Sequence, residues 1–276
     1  MNPFQVTLVP ALSDNYVYIA RDDNTQTTMV VDPGEADPVL KVLDENGWNL
    51  THVLNTHHHG DHIAGNEELI SRFNAKLIGP KAEHARIKGM DEQVVDGDII
   101  DVGGHKGQVI ETPGHTRGHI AVWFAESDAL FCGDTLFALG CGRVFEGTME
   151  QMWNSLLRLR SLNSTAKIYC GHEYTISNAK FAISIDPNNT KLQSRVKEFE
   201  EMRSRNQPTI PSVLIDELDT NPFLRADNPI LAGELGLSGA KPEDVFAEIR
   251  ERKDRMGTPK GRGNVEISGK AAKDDD

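Results

Sequence analysis

The sequence predicts a mixed, β-rich α/β domain followed by a small α-helical one. Three observations carry this. The first two-thirds of the 276 residues are short β-branched and aromatic runs cut by Gly, Pro and Asp turns. After Tyr174 the apolar residues recur at helical spacing instead. The length, at roughly 150 residues per domain, fits about two domains with a sizeable core.

Strands are expected at residues 5–10, 16–20 and 28–31, the last closed by Asp32-Pro33-Gly34. Asp37-Pro38 opens a helix, because Pro is tolerated at the first helical position, and Gly47 ends it. A strand over 52–55 runs directly into Thr56-His57-His58-His59-Gly60-Asp61-His62, with a helix following near 64–73. Further strands are expected at 76–79, 99–102, 108–112, 119–124 and 129–132. Thr148 with Gln151 three residues on is a capping box. It opens an amphipathic helix on Met152, Trp153, Leu156, Leu157 and Leu159. A last strand covers 166–170 and ends at Gly171-His172-Glu173. The change of character falls near 172–178, at a helix start rather than in a linker. Helices are expected at 190–205, near 212–218, and at 242–256 closed by Gly257. The domains therefore divide as 1–173 and 174–257. Residues 258–276, rich in Gly, Lys and Asp, are expected to be disordered.

Composition narrows the function. With 38% hydrophobic and 26% charged residues the chain as a whole is not a disordered one. A net charge of −13 argues against a nucleic-acid partner, which would need a positive face for phosphates. The charge is uneven: residues 1–190 hold 14 basic and 25 acidic side chains, residues 191–276 hold 15 and 17. The basic tail is either a solvated helical face or a site for an anionic small molecule. No apolar run approaches the roughly 18 residues of a membrane span, so no membrane partner is expected. The first 16 residues lack the basic and apolar regions of a secretory signal. Three widely spaced cysteines, Cys132, Cys141 and Cys170, fit a reducing compartment. They read as small buried hydrophobes, with Cys132 a candidate for redox sensitivity. A cytoplasmic monomer is expected.

The chemistry is concentrated at His57-His58-His59-Gly60-Asp61-His62, five ligand-type side chains in six residues. Crowding imidazoles at a strand-to-helix turn does nothing for packing, whereas imidazole and carboxylate are the ligands of borderline divalent metals. Alternate residues at a strand end point the same way, so His57 and His59 can converge on one ion. Asp61 and His62, past the turn, can face a second. The same alternation turns His58 away from the ions. Three other Gly-flanked turns end β runs with a ligand-type residue: Gly114-His115-Thr116, Gly133-Asp134-Thr135 and Gly171-His172-Glu173. A carboxylate buried after Ala129-Leu130-Phe131 is costly unless a cation or several donors neutralise it, so Asp134 reads as a ligand shared by two metals.

In this order, H-x-H-x-D-H, Gly-His-Thr, Gly-Asp and Gly-His-Glu resemble the signature of the metallo-β-lactamase superfamily. The segments 56–62, 140–147 and 170–175, with Asn221-Pro222-Phe223-Leu224-Arg225 and Arg250-Glu251-Arg252-Lys253-Asp254 in the tail, resemble glyoxalase II, the hydroxyacylglutathione hydrolase family. The match runs from about Gln5 to Arg255. The resemblance implies a four-layer αββα sandwich carrying a dinuclear metal site at one edge, followed by the small helical domain.

Carried over by position, the resemblance assigns His57, His59 and His115 to the first metal. It assigns Asp61, His62 and His172 to the second, with Asp134 bridging. It implies two divalent ions, zinc first with iron or manganese as alternatives, and a hydroxide between them held by Asp61 and Asp134. With two such ions the set retains about one net positive charge, enough to make hydroxide available near neutral pH. A thioester suits it, having an electrophilic carbonyl and a thiolate leaving group. The implied substrate is S-D-lactoylglutathione, or another S-2-hydroxyacylglutathione. The implied products are D-lactate and glutathione, the second step of methylglyoxal detoxification. Tyr174 and Arg143 would contact glutathione, and Arg250 and Lys253, three residues apart on one helix face, would hold its glycine carboxylate. Arg143 and Phe145 stand where many eukaryotic members carry Lys and Tyr, so a tyrosine contact is lost. Asp32 either orients a ligand histidine or is a turn residue. His119 reads as a supporting or structural residue, and His52, His84 and His105 as ordinary ones.

Two alternatives stand beside this reading. A mononuclear iron enzyme resembling persulfide dioxygenase is disfavoured by the complete second ligand set and the helical tail. A glutathione-binding member without activity would be expected to have lost ligands, and all seven positions are filled.

Overall fold

The computed structural model describes residues 3–257, so the expectation for 258–276 lies outside the described residues. Two six-stranded mixed sheets form its centre. In the first, β1 (Gln5–Ala11), β2 (Asn15–Asp22) and β3 (Thr27–Val31) pair antiparallel. The strands β4 (His52–Leu54), β5 (Lys76–Pro80) and β6 (Glu92–Val94) continue in parallel. Parallel steps need crossovers. These are α1 (Asp37–Asn46) before β4, then α2 (Gly60–Ile63) and α3 (Asn66–Phe73) before β5.

In the second sheet β7 (Ile99–Val102), β8 (His105–Glu111), β9 (Ile120–Phe124) and β10 (Ala129–Gly133) form an antiparallel meander. A separate ribbon, β11 (Leu136–Phe137) with β12 (Gly140–Cys141), follows. The helix α4 (Met149–Arg160) then leads to β13 (Lys167–Cys170), parallel to β10.

Strand alternation builds the layers. Tyr18 and Ala20 of β2 enter the core between the sheets with Met29, Leu54, Phe131 and Ile168. Val17 and Ile19 face the other way and pack with Val39 and Leu43 of α1 and Leu69 of α3. The second sheet is covered in turn by Met152, Trp153, Leu156 and Leu159 of α4. Helix, sheet, sheet, helix is the αββα order the resemblance implies.

The capping box forms as expected: Gln151 N donates to Thr148 Oγ1 at 3.1 Å, and Thr148 N donates to Gln151 Oε1 at 2.9 Å. Thr148→Ala should cost about 1 kcal/mol of stability, read as a lower denaturant midpoint, while Thr148→Ser stays near wild type. An unchanged midpoint for the alanine variant would show that packing alone holds α4.

The helical segment comprises α5 (Thr175–Ile185), α6 (Thr190–Ser204), α7 (Leu214–Thr220), α8 (Pro229–Glu234) and α9 (Pro242–Gly257). It packs on the sandwich through Phe246, whose ring lies 5.9 Å from that of Trp153. Asn221 Nδ2 donates to the carbonyls of Phe137 and Gly140, and Glu217 accepts from Leu139 N–H, so this segment fixes the β11–β12 ribbon.

Three expectations are corrected. The helix near 64–73 starts at Gly60 and restarts at Asn66. The break falls at Gly65, whose N–H reaches Pro33 O at 2.8 Å and where a Cβ would crowd that same oxygen. The 166–170 strand is not the last: Ser212–Val213 forms β14, antiparallel to β13 at the sheet edge, where a helix start was expected. Strands β6, β11 and β12, of two or three residues, had no detectable period. For α5 only the start was expected, because its apolar residues Ile176, Ala179, Phe181, Ala182 and Ile185 occupy more than one face.

Candidate metal centre

The motif residues all lie beyond the carboxyl ends of strands: His57–His62 after β4, His115 after β8, Asp134 after β10 and His172 after β13. The register between β10 and β13 slips between Phe131 and Gly133, a bulge that re-aims the following residue. Gly133 takes φ +45°, and a Cβ there would lie 2.2 Å from Thr56 Oγ1. Gly171 is needed for closeness: its Cβ would sit 2.5 Å from Asp134 Oδ1.

Two groups of donors result. His57 Nε2 and His115 Nε2 each lie 3.0 Å from His59 Nδ1. His62 Nε2 lies 3.4 Å from His172 Nε2, with Asp61 Oδ2 at 3.6 and 3.4 Å from them. Asp134 stands between the groups. Its Oδ2 is 3.4 Å from both His115 Nε2 and His172 Nε2, and its Oδ1 is 3.5 Å from His62 Nε2.

The outward ring nitrogens are anchored, which orients the inward ones. His115 Nδ1 donates to Arg143 O at 2.9 Å. His172 Nδ1 meets Asp14 Oδ1 at 2.9 Å, whereas His62 Nδ1 lies within ion-pair distance of Asp32 Oδ2, 3.2 Å, without making a hydrogen bond. The Thr56 hydroxyl donates to Asp32 Oδ2 at 2.6 Å, so it is left to accept from His57 Nδ1 at 3.1 Å. Asp32 thus orients rather than merely turns. Although Asp32, His57 and His62 also cluster, both Asp32 oxygens already accept, from Thr56 N–H at 2.8 Å and from the Thr56 hydroxyl.

Electrostatics divide the two groups. Burial, and then the neighbouring imidazoles His62, His119 and His115, push His57 well below 6.5, so it is neutral and offers a lone pair. In the second group burial pulls His62 down, but Asp134, Asp32 and Asp61 outweigh it and raise it to about 9. Burial likewise opposes ionisation of Asp134, and the His62, His172 and His115 imidazoles overcome it to hold the carboxyl well below its usual range. Asp134 Oδ1 is nonetheless buried with no hydrogen-bond partner. An orphaned carboxylate oxygen between two sets of converging imidazole nitrogens fits divalent cations.

The other histidines behave as expected. His58 Nδ1 turns away to Glu83 Oε2 at 2.6 Å. His119 is buried, stacks 4.8 Å from His57, and its Nε2 accepts from Asp134 N–H at 3.1 Å. His105 is buried against Asp22. Redox sensitivity of Cys132 is not supported: the side chain is fully buried, and burial pushes its thiol far up, leaving no reactive thiolate.

A pocket of about 810 Å³ opens from His59, Asp61, His115, Asp134 and His172 toward the helical segment. Its size is within the roughly 300–1,000 Å³ of small-molecule sites. Tyr174 stacks flat on His172 at 4.6 Å, and Phe145, 60% exposed, lies 5.2 Å from His115. Arg143, Arg250 and Lys253 all line the pocket, but they differ in surroundings. Arg250 is 3% exposed, donates to Cys141 O at 2.9 Å and Asp254 at 2.9 Å, and lies over the Phe223 ring. Lys253 Nζ gives two donors to Ser177, at 2.7 and 3.0 Å. Arg143 is half-exposed, 3.6 Å from Asp254.

Sequence reasoning missed Asp14, Asn15, Glu83 and Lys180. Asn15 Nδ2 holds Asp61 through Oδ2 and the backbone carbonyl, both at 3.1 Å, and Lys180 adds a cation to the pocket. Asp14 and Asn15 at a hairpin turn, Glu83 in a three-residue 3₁₀ turn and the exposed Lys180 of the mostly buried α5 carry no periodic signal.

No described helix is long and apolar enough to cross a membrane. Residues 10–172 match the family model of the metallo-beta-lactamase superfamily, and residues 173–256 match that of the hydroxyacylglutathione hydrolase C-terminus. A hydroxyacylglutathione hydrolase of Methylococcus capsulatus is 50% identical over 250 residues, 91% of this chain and 98% of that one. Another, of Rhodospirillum rubrum, is 48% identical over 93% of this chain and all of that one. Among solved structures, ETHE1 from Myxococcus xanthus is similar at 26% identity and TM-score 0.64, covering 93% of this chain and 92% of that one. The chain belongs to the metallo-beta-lactamase superfamily and, within it, to the hydroxyacylglutathione hydrolase family.

Proposed function

We propose that this protein is a metal-dependent thioester hydrolase that cleaves S-D-lactoylglutathione and related 2-hydroxyacylglutathiones to the hydroxy acid and glutathione. The observation that carries the reading is Asp134: a buried carboxylate, one oxygen without a partner, set between two histidine groups at the floor of a pocket lined with cations. His57, His59 and His115 would hold one divalent cation, Asp61, His62 and His172 the other, and Asp134 both. Zinc leads, with iron or manganese accepted by the same donors. When bound, the cations supply Lewis acidity that lowers the pKa of water and polarises a carbonyl.

The chain's own residues do the rest. Asp61 and Asp134 present carboxylate oxygens at the pocket floor that orient the attacking water by accepting its hydrogen bond. Tyr174 walls the pocket beside His172, Phe145 covers the acyl side, and Arg143, Arg250 and Lys253 gather the glutathione end. A sulfur leaving group needs no strong general acid, and none of the pocket's groups is asked to be one.

The test is one preparation assayed for lactoylglutathione hydrolysis and for metal content. Two divalent ions per chain are expected, with activity lost on chelation and restored by zinc. One iron per chain with oxygen consumption on glutathione persulfide would replace this reading with the dioxygenase one.

A further inference from the structure

We infer that Glu83 is a positioning residue for the first cation group, a carboxylate outside the site that holds His57, His59 and His115 in register. The inference rests on the two-cation reading above. Glu83 ends a short 3₁₀ turn (Lys81–Glu83) after β5 and is 3% exposed. Its Oε2 accepts from His58 Nδ1 at 2.6 Å. Its Oε1 accepts from the Thr116 hydroxyl and from Gly118 N–H at 3.1 Å. His58 lies between His57 and His59 in the chain, and Thr116 follows His115. One buried carboxylate therefore ties together the two loops whose nitrogens must meet.

Two further observations give the tie direction. Arg86 Nη1 donates to His58 Nε2 at 2.9 Å, which leaves the His58 proton on Nδ1, facing Glu83. The 115–118 loop is pressed against the Glu83 stem, since a Cβ on Gly118 would lie 2.4 Å from Glu83 Cγ. The second group is anchored elsewhere, through Asn15, Asp32 and Asp14. Loss of Glu83 should therefore loosen one group and spare the other, because residues that orient metal ligands typically contribute 10- to 100-fold in affinity.

The experiment is zinc affinity by chelator competition on the full chain. Glu83→Ala should weaken one of two bound zinc ions roughly 10- to 100-fold and leave the other unchanged. The weakened ion must be the one that His59→Ala also weakens. Glu83→Gln keeps the volume and the Thr116 and Gly118 bonds but sets an amide N–H against the His58 N–H. It should fold and fall between wild type and Glu83→Ala. A lower melting temperature with both zinc affinities intact, or equal weakening of both ions, would overturn the inference. Two tightly bound ions in a wild-type chain that cleaves no glutathione thioester would overturn the proposed substrate and leave the part of Glu83 standing.

Discussion

Asp134→Ala is expected to abolish tight binding of both cations and to lower thioester turnover by on the order of a thousandfold or more. Lewis-acid stabilisation supplies several kcal/mol of the barrier reduction, and each 1.4 kcal/mol is roughly tenfold in rate. The single carboxylate reaches across to His115 in one group and to His62 and His172 in the other. Its removal would also leave His62 and His172 without the negative charge that most favours their protonated forms. Metal analysis and kcat on the purified variant measure both effects. A variant that kept two ions and near-normal turnover would sink the shared-ligand assignment.

Lys253→Ala should raise KM for lactoylglutathione roughly 10- to 150-fold with a smaller change in kcat. A charge-assisted hydrogen bond contributes roughly 1.5–3 kcal/mol, and this one lies away from the bond being cleaved. Wild-type KM should also depend on pH. Burial, and then the neighbouring Arg250 and Arg143, bring the Lys253 ammonium down from 10.5 to about 8. The group is charged below that pH, so its hold on a carboxylate is fully present there and fades as pH rises through 8. A thioester lacking the glycine carboxylate should show neither the mutational penalty nor the rise. Equal penalties on both substrates would mean that Lys253 merely fastens α9 to Ser177. Arg250 is the contrasting case. Enclosed by Cys141, Asp254 and Phe223, it holds the pocket wall as well as facing it, so Arg250→Ala should impair both substrates.

The site was legible where its chemistry is local in sequence. The run from His57 to His62, and the Gly-flanked His115, Asp134 and His172, declare themselves because each sits at a strand end in a turn too polar for packing. Their supports were not legible, since each acts across a long stretch of chain. Asp14 lies 158 residues from His172, Asn15 lies 46 from Asp61, and Glu83 lies 35 from Gly118. Spacing placed Arg250 and Lys253 on one helix face but could not tell which of them Phe223 would cover. In the fold, most strands of five or more residues run close to their expected bounds because Gly, Pro and Asp turns delimit them, although β2, β3, β9 and β10 are buried throughout and show no alternation. The strand β8, expected at 108–112, runs from His105 to Glu111. The two-residue β14 was misread because its existence depends on a partner, β13, rather than on a period of its own.

That small strand has a consequence for how the protein could be divided. Chain division at residue 173 looks natural from the two family matches. Yet Ser212–Val213 caps the outer hydrogen-bonding row of β13, the strand that delivers His172. A fragment ending at 173 would present that row bare, beside the fully buried side chain of Ile168, as a template for another chain. The helical segment is therefore a protective rim as well as a wall of the pocket. An isolated 1–173 fragment is expected to self-associate through the edge of β13, seen as a larger species on size exclusion than the full chain.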